Sequence, residues 1–299
     1  MSTRKALQPS YAAETVVKAN ALIEAGHRLS LAEQRVVLAA ISQVRRDEAL
    51  DSRTWYSVTA GGLADVAGID ASDAYESLAQ AAKRLYERSI TITERPNGEF
   101  GAPGQDDDVL QCRWVQAVRY KKREGRVVIM FSEPVTPYLA QLKSQFTQYR
   151  LEHVAPMRSR FGPRLYELLA QWRQMGEREV SIDWLQYVWG TDHKRVYDLK
   201  RWVIKPAVDD VNAYSDLAVE VGYRKTGRRV THAQFTFSSK TVRAAKKLES
   251  LHLNGPERRR DGRITRAEIE RRARPGESYE EAERRIDAED RRSAAPPST

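Results

Sequence analysis

The chain has 299 residues, 41% of them hydrophobic, and a formal net charge of +9. That length accommodates two domains of ordinary size, each with its own core, and the positive balance favours acidic partners. The single cysteine, Cys112, excludes an internal disulfide. No apolar run nears the ~20 residues of a membrane span and the N-terminus lacks a signal-peptide core, so a soluble, cytoplasmic protein is expected.

Residues 1–13 read as a flexible N-terminus. A helix is expected over roughly 14–25, closed by Gly26, and a second begins with the capping box Ser30-Leu31-Ala32-Glu33 and runs to about Arg46. Next come a strand (Trp55 to Thr59), a short helix (Leu63 to Ala67), a turn at Gly68-Ile69-Asp70 and a longer helix to about Arg88. Strands follow over 90–94, 109–121 and 126–131, with Cys112 as a small buried hydrophobe on the Leu110, Cys112, Trp114 face. Residues 133–143 suggest a short helix, and 143–147 the best domain boundary. A helix over 158–175 then buries Leu165, Leu168, Leu169 and Trp172.

The same order of elements returns between Glu179 and Ser238. A short strand (Val180, Ile182) leads to a short helix (Trp184 to Trp189), a turn at Gly190-Thr191-Asp192, a long helix from His193 and a basic hairpin. Helix, turn, helix and hairpin in that order form a winged helix-turn-helix, whose second helix enters the major groove while the wing lies on phosphates. Leu63, Val66 and Gly68 match Leu185, Val188 and Gly190, and a tyrosine follows each glycine by seven residues, at Tyr75 and Tyr197. The expected fold is therefore α+β, with two tandem winged helices: 14–147, and 148–254 as the main DNA-binding domain.

At 100° per residue the long helix puts Val196, Leu199, Val203, Pro206, Ala207, Val211 and Tyr214 on one side. Lys194, Asp198, Arg201, Lys205 and Asn212 fall opposite, flanked by Arg195 and Tyr197; Lys200 lies near the apolar edge. A helix with one apolar and one cationic face suits a DNA groove, and an ordinary solvated face is the alternative. Pro206 removes a hydrogen bond and should kink the rod, leaving the part before it to read bases.

In the wing, Arg224, Lys225, Arg228 and Arg229 crowd one tip, where a phosphate backbone would offset their repulsion. Candidate DNA contacts in the first domain are Lys83, Arg84, Lys121, Lys122 and Arg123, on a helix and hairpin of mixed charge that also suit protein contact. Residues 144–254 hold 19 Lys and Arg against 12 acids, whereas 1–143 hold 19 against 18. The excess thus lies on the half with the second winged helix, the electrostatic footprint of nucleic-acid binding. An amphipathic helix (Val242, Ala245, Leu248, Leu251) closes that half. Residues 255–299 are rich in Arg and Glu and poor in apolar residues; a mostly disordered tail is expected, with a solvated helix over 264–292.

No GxxxxGK[ST] loop, HExxH, HxH or nucleophile–His–acid arrangement occurs, so no catalytic residue, metal or cofactor is assigned. Three segments carry a likeness to a known family: Leu29-Ser-Leu-Ala-Glu-Gln-Arg, Pro163-Arg-Leu-Tyr-Glu-Leu-Leu, and Leu199-Lys-Arg-Trp-Val-Ile-Lys-Pro-Ala-Val-Asp-Asp-Val-Asn with Ser215-Asp-Leu-Ala-Val-Glu-Val. Over roughly 14–240 the chain resembles the plasmid replication initiators that bind iterons. That resemblance implies a non-enzymatic protein that binds directly repeated double-stranded origin DNA, chiefly through its second winged helix, and helps melt adjacent DNA. It also implies recruitment of a host initiator ATPase and replicative helicase, a monomer–homodimer equilibrium through the first domain, and repression of its own promoter. A transcriptional regulator with the same tandem modules is the alternative, and a nuclease a more distant one.

Overall fold

A computed structural model describes residues 11, 14–45, 50–70, 74–94, 108–140, 142, 144–241, 269, 272 and 279–293. The chain divides into one unit over Met1–Lys240 and another over Thr241–Thr299.

The N-terminal segment differs from the expected helix over 14–25. It forms strand β1 (Thr15–Ala19), a one-turn helix α1 (Asn20–Glu24) and strand β2 (Gly26–His27). The reason is tertiary: Val16 and Lys18 alternate into the core, and β1 pairs antiparallel with β8 (Phe146–Arg150). That pairing joins segments some 130 residues apart, and β8 begins inside the 143–147 connection.

Helix α2 (Leu31–Ile41) starts where its capping box predicts, Ser30 and Glu33 capping one another's backbone N–H groups. Its Glu33 also holds two arginines, with Arg84 Nε and Arg88 Nε each at 3.1 Å. The first winged helix continues through β3 (Tyr56–Thr59), α3 (Ala60–Ala67) and α4 (Ala74–Tyr86). Gly68 ends α3 at φ 62°, a left-handed conformation that favours glycine. Then come β4 (Ser89–Glu94), β5 (Asp108–Arg113), β6 (Val115–Lys121) and β7 (Arg126–Phe131).

The single strand expected over 109–121 is thus two. The chain breaks at the buried Trp114, so β5 joins β4 and β2 in one sheet while β6 joins β7 and β3 in another. Cys112 is half-buried, and that partial burial raises its thiol pKa. Residues Glu133–Tyr138 make a 3-10 helix.

The second module comprises α5 (Gly162–Ala170), β9 (Glu177–Ser181), α6 (Ile182–Val188), a segmented long helix described below, β10 (Leu217–Thr226) and β11 (Arg229–Ser239). The sheet order is β10-β11-β9. Helix α5 is buried along its whole length, including Arg164 and Glu167. Glu167 pairs with the buried Lys18 of β1 and accepts from the Tyr149 hydroxyl, while Arg164 Nη2 donates to the carbonyls of Ala25 and Val188. Gly190 packs so closely on Arg28 and His27 that a Cβ there would lie 2.4 Å from Arg28 Cγ. One continuous apolar core runs through both modules.

In the tail, α9 (Tyr279–Ser293) forms, and Ile269, Ala282 and Ile286 bury one another. The helix expected around Val242 to Leu251 and the rest of the tail expectation lie outside the described residues.

Candidate nucleic-acid interface

The long helix of the second module starts later than His193. His193 to Arg195 form the approach, pinned where His193 N–H donates to Gln186 Oε1 at 2.6 Å. The helix itself runs as α7 (Val196–Leu199), a π-helical turn (Lys200–Ile204) and α8 (Lys205–Tyr214). The π turn explains how Pro206 is accommodated. Proline has no N–H and its ring crowds the carbonyl four residues back; here the Lys205 N–H reaches Lys200 O, five residues back, widening the turn just ahead of the ring.

The apolar side falls where the wheel places it. Leu199, Val203, Ala207 and Val211 are buried, joined by Ile204 and Val208. Asp210 is buried too, accepting from the backbone N–H groups of Arg158 (3.0 Å) and Ser159 (2.5 Å); the cost of burying its charge outweighs them and raises its pKa.

On the outer side, Lys194, Arg195, Tyr197, Arg201 and Lys205 are exposed and Asp198 is half-buried. Lys205 forms an i,i+4 ion pair with Asp209 at 2.6 Å. Asn212 has a structural duty: its amide donates to Val219 O and accepts from Val219 N–H, clamping the base of the wing.

Sequence reasoning passed over Trp202. It is 60% exposed, Tyr197 is 65% exposed, and Arg201 lies between them. The guanidinium sits 4.7 Å from the Trp202 ring centroid, and Nη1 reaches the Tyr197 hydroxyl at 3.5 Å. The signal was present as an aromatic residue beside Arg201 with no place on the core stripe. On an ideal wheel Trp202 falls at the flank of the polar face, and it lies within the π turn.

The wing is β10 and β11, turning through Gly227 (φ 61°) and Arg228 between the paired Thr226 and Arg229. Lys225, Arg228 and Arg229 are exposed at the tip. Arg224 sits further down, bonded to Glu179 of β9 at 2.6 Å, and that bond lowers the Glu179 pKa. Lys200, the edge residue, places its amine 3.5 Å from the Tyr223 ring centroid, tying helix to wing. Partial burial and the nearby Lys225 charge lower the Lys200 pKa.

In the first module the candidates separate. Lys83 is exposed on α4. Arg84 is engaged by Glu33, and Lys121 pairs with Glu124 at 3.2 Å. Lys122 and Arg123 are exposed at the β6–β7 turn. Among the described residues no group of three or more His, Cys, Asp or Glu is arranged to hold a metal, and no helix is long and apolar enough to cross a membrane.

Two consecutive winged helices, the second presenting a basic-aromatic helix edge beside a basic wing, define a protein of the tandem winged-helix class. The family model described as "Initiator Replication protein, WH1" matches residues 15–170, and "Initiator Rep protein, WH2" matches 181–237. The chain belongs to this family of replication initiators. It is 27% identical over 219 residues to a "Replication initiation protein" of Escherichia coli, an alignment covering 70% of this chain and 65% of that one. The chain therefore spans a little under two thirds of that relative. It is 23% identical to the "PI protein" of Escherichia coli, over 70% of this chain and 78% of the other. Among solved structures, its fold is similar to that of the Pi initiator protein crystallised with iteron DNA, with a TM-score of 0.61 and 19% identity, over 77% of this chain and 98% of that one.

Proposed function

We propose that this protein is a plasmid replication initiator that binds directly repeated duplex sites at an origin, chiefly through its second winged helix. The supporting observation is the exposed edge of Tyr197, Arg201 and Trp202 beside a wing tip carrying Lys225, Arg228 and Arg229. The helix edge suits a major groove and the tip suits the flanking phosphates. Family membership and the likeness to an initiator solved with iteron DNA support the same reading.

Lys194, Arg195 and Lys205 add phosphate contacts around the helix. Lys83, Lys122 and Arg123 give the first domain an auxiliary contact, alongside its role in dimer formation. Bound to its repeats, the protein opens adjacent DNA and recruits the host initiator ATPase and helicase; as a dimer it represses its own promoter. All of this takes place in the cytoplasm.

The test is a footprint of the purified protein across the DNA flanking its own coding region. Several protected direct repeats beside AT-rich DNA are expected. A single protected inverted repeat, with no array, would make it a transcriptional regulator instead.

A further inference from the structure

We infer that Trp202 reads the 5-methyl group of a thymine next to the guanine that Arg201 reads, which makes it a specificity-determining residue. The inference rests on the duplex-DNA reading above. A helix that only neutralises phosphate needs cations; it gains nothing from holding an indole 60% exposed in water. Here the indole is set beside Arg201 by geometry that the backbone imposes. Pro206 calls for a widened turn, the widened turn runs over Lys200–Ile204, and Trp202 lies in the middle of it.

The arginine is ordered in advance, its guanidinium 4.7 Å from the Trp202 ring and within 3.5 Å of the Tyr197 hydroxyl. Such ordering removes part of the entropy that a free arginine loses on binding. In the major groove, an ordered guanidinium matches the O6 and N7 acceptors of guanine, and the T methyl is the apolar feature available to a neighbouring ring. Tyr197 acts as a positioning residue for Arg201. The predicted half of the site is therefore a guanine beside a thymine whose methyl group matters.

The test uses the full chain and random-core duplex DNA, selected in parallel from a thymine library and a uracil library. The most enriched thymine duplex is then resynthesised with deoxyuridine at one position at a time, which removes a single methyl and leaves the protein unaltered. At one or two positions adjacent to an essential guanine, binding by the unmodified protein should fall about fourfold per methyl, the equivalent of ~0.8 kcal/mol. Trp202→Ala should bind the thymine and uracil forms equally, and Trp202→Phe should retain part of the discrimination. Deoxyuridine that is neutral everywhere, or that weakens Trp202→Ala as much as the parent, overturns the inference while leaving duplex binding intact. Failure of both libraries to enrich any duplex overturns the DNA-binding reading and this inference with it.

Discussion

Arg178 of β9 donates to Glu24 of α1 at 2.8 Å, and through its other amino group to the Leu168 carbonyl at 2.6 Å. Arg178, only 4% exposed, thus ties the start of the first module to the sheet of the second. Lys18 with Glu167, and Arg164 with Ala25 and Val188, repeat that arrangement nearby. The modules are joined by paired buried charge as well as by apolar packing, and such charge is costly to strand. Glu167→Gln should therefore cost about 3–5 kcal/mol in urea unfolding, because it leaves Lys18 buried without its anion. A loss near zero would mean that Lys18 reaches water.

His27 makes the same junction sensitive to acid. Its ring meets Trp114 edge-on at 5.2 Å, and its Nδ1 is sealed from solvent without a hydrogen-bond partner. Burial first, then the positive charges of Arg164, Lys18 and Arg160, hold its pKa well below the ordinary histidine value. The unfolded chain takes up a proton near pH ~6.5 and the folded chain does not, so acidification below that point favours unfolding. Stability should fall by up to about 1.4 kcal/mol per pH unit from this group. His27→Gln should flatten the pH dependence of unfolding between about pH 6.5 and 5. An unchanged slope would assign the acid sensitivity to other groups.

Two glycines share a backbone conformation and differ in surroundings. Gly190 (φ 56°) would place a Cβ 2.7 Å from the His27 carbonyl oxygen, whereas Gly227 (φ 61°) has no atom within 4 Å of that position. Gly227→Ala should cost only the left-handed strain, about 1–2 kcal/mol. Gly190→Ala adds a backbone clash across the two modules and should lower the melting temperature distinctly further. Equal shifts for the two variants would show that the modules separate easily at this contact.

The wing cations should also divide by duty. Arg228→Ala with Arg229→Ala should weaken binding to all duplexes alike and reduce the salt slope by about 2, one for each phosphate no longer neutralised. Arg224→Ala, which breaks the bond to Glu179, should leave that slope nearly unchanged. Measuring affinity against salt concentration for both variants decides it; a reduced slope in Arg224→Ala would place Arg224 on the phosphates.

Local signals made much of this architecture legible in the sequence. Ser30 and Glu33 announced α2, and the basic run from Arg224 to Arg229 announced the wing. The apolar stripe from Val196 to Val211 marked the buried side of the long helix. What escaped was decided by distant partners. Nothing within residues 14–25 says that Thr15–Ala19 will find Phe146–Arg150, and the sequence around Trp114 does not mark the change of sheet. At the interface, the candidates Arg84 and Arg224 were legible, but not that Glu33 and Glu179 engage them. Trp202 was passed over because it lies at the flank of the wheel, neither on the apolar stripe nor among the cations.

The central claim is that the Arg201 edge of the long helix reads base sequence in duplex DNA. The most direct measurement is fluorescence anisotropy of the parent and Arg201→Ala on two labelled duplexes, one footprinted repeat and one scrambled version, at a single salt concentration. Arg201→Ala should lose about 5- to 150-fold on the repeat, corresponding to ~1–3 kcal/mol, while its binding to the scrambled duplex barely changes. Equal affinities of the two proteins for the repeat would contradict the account.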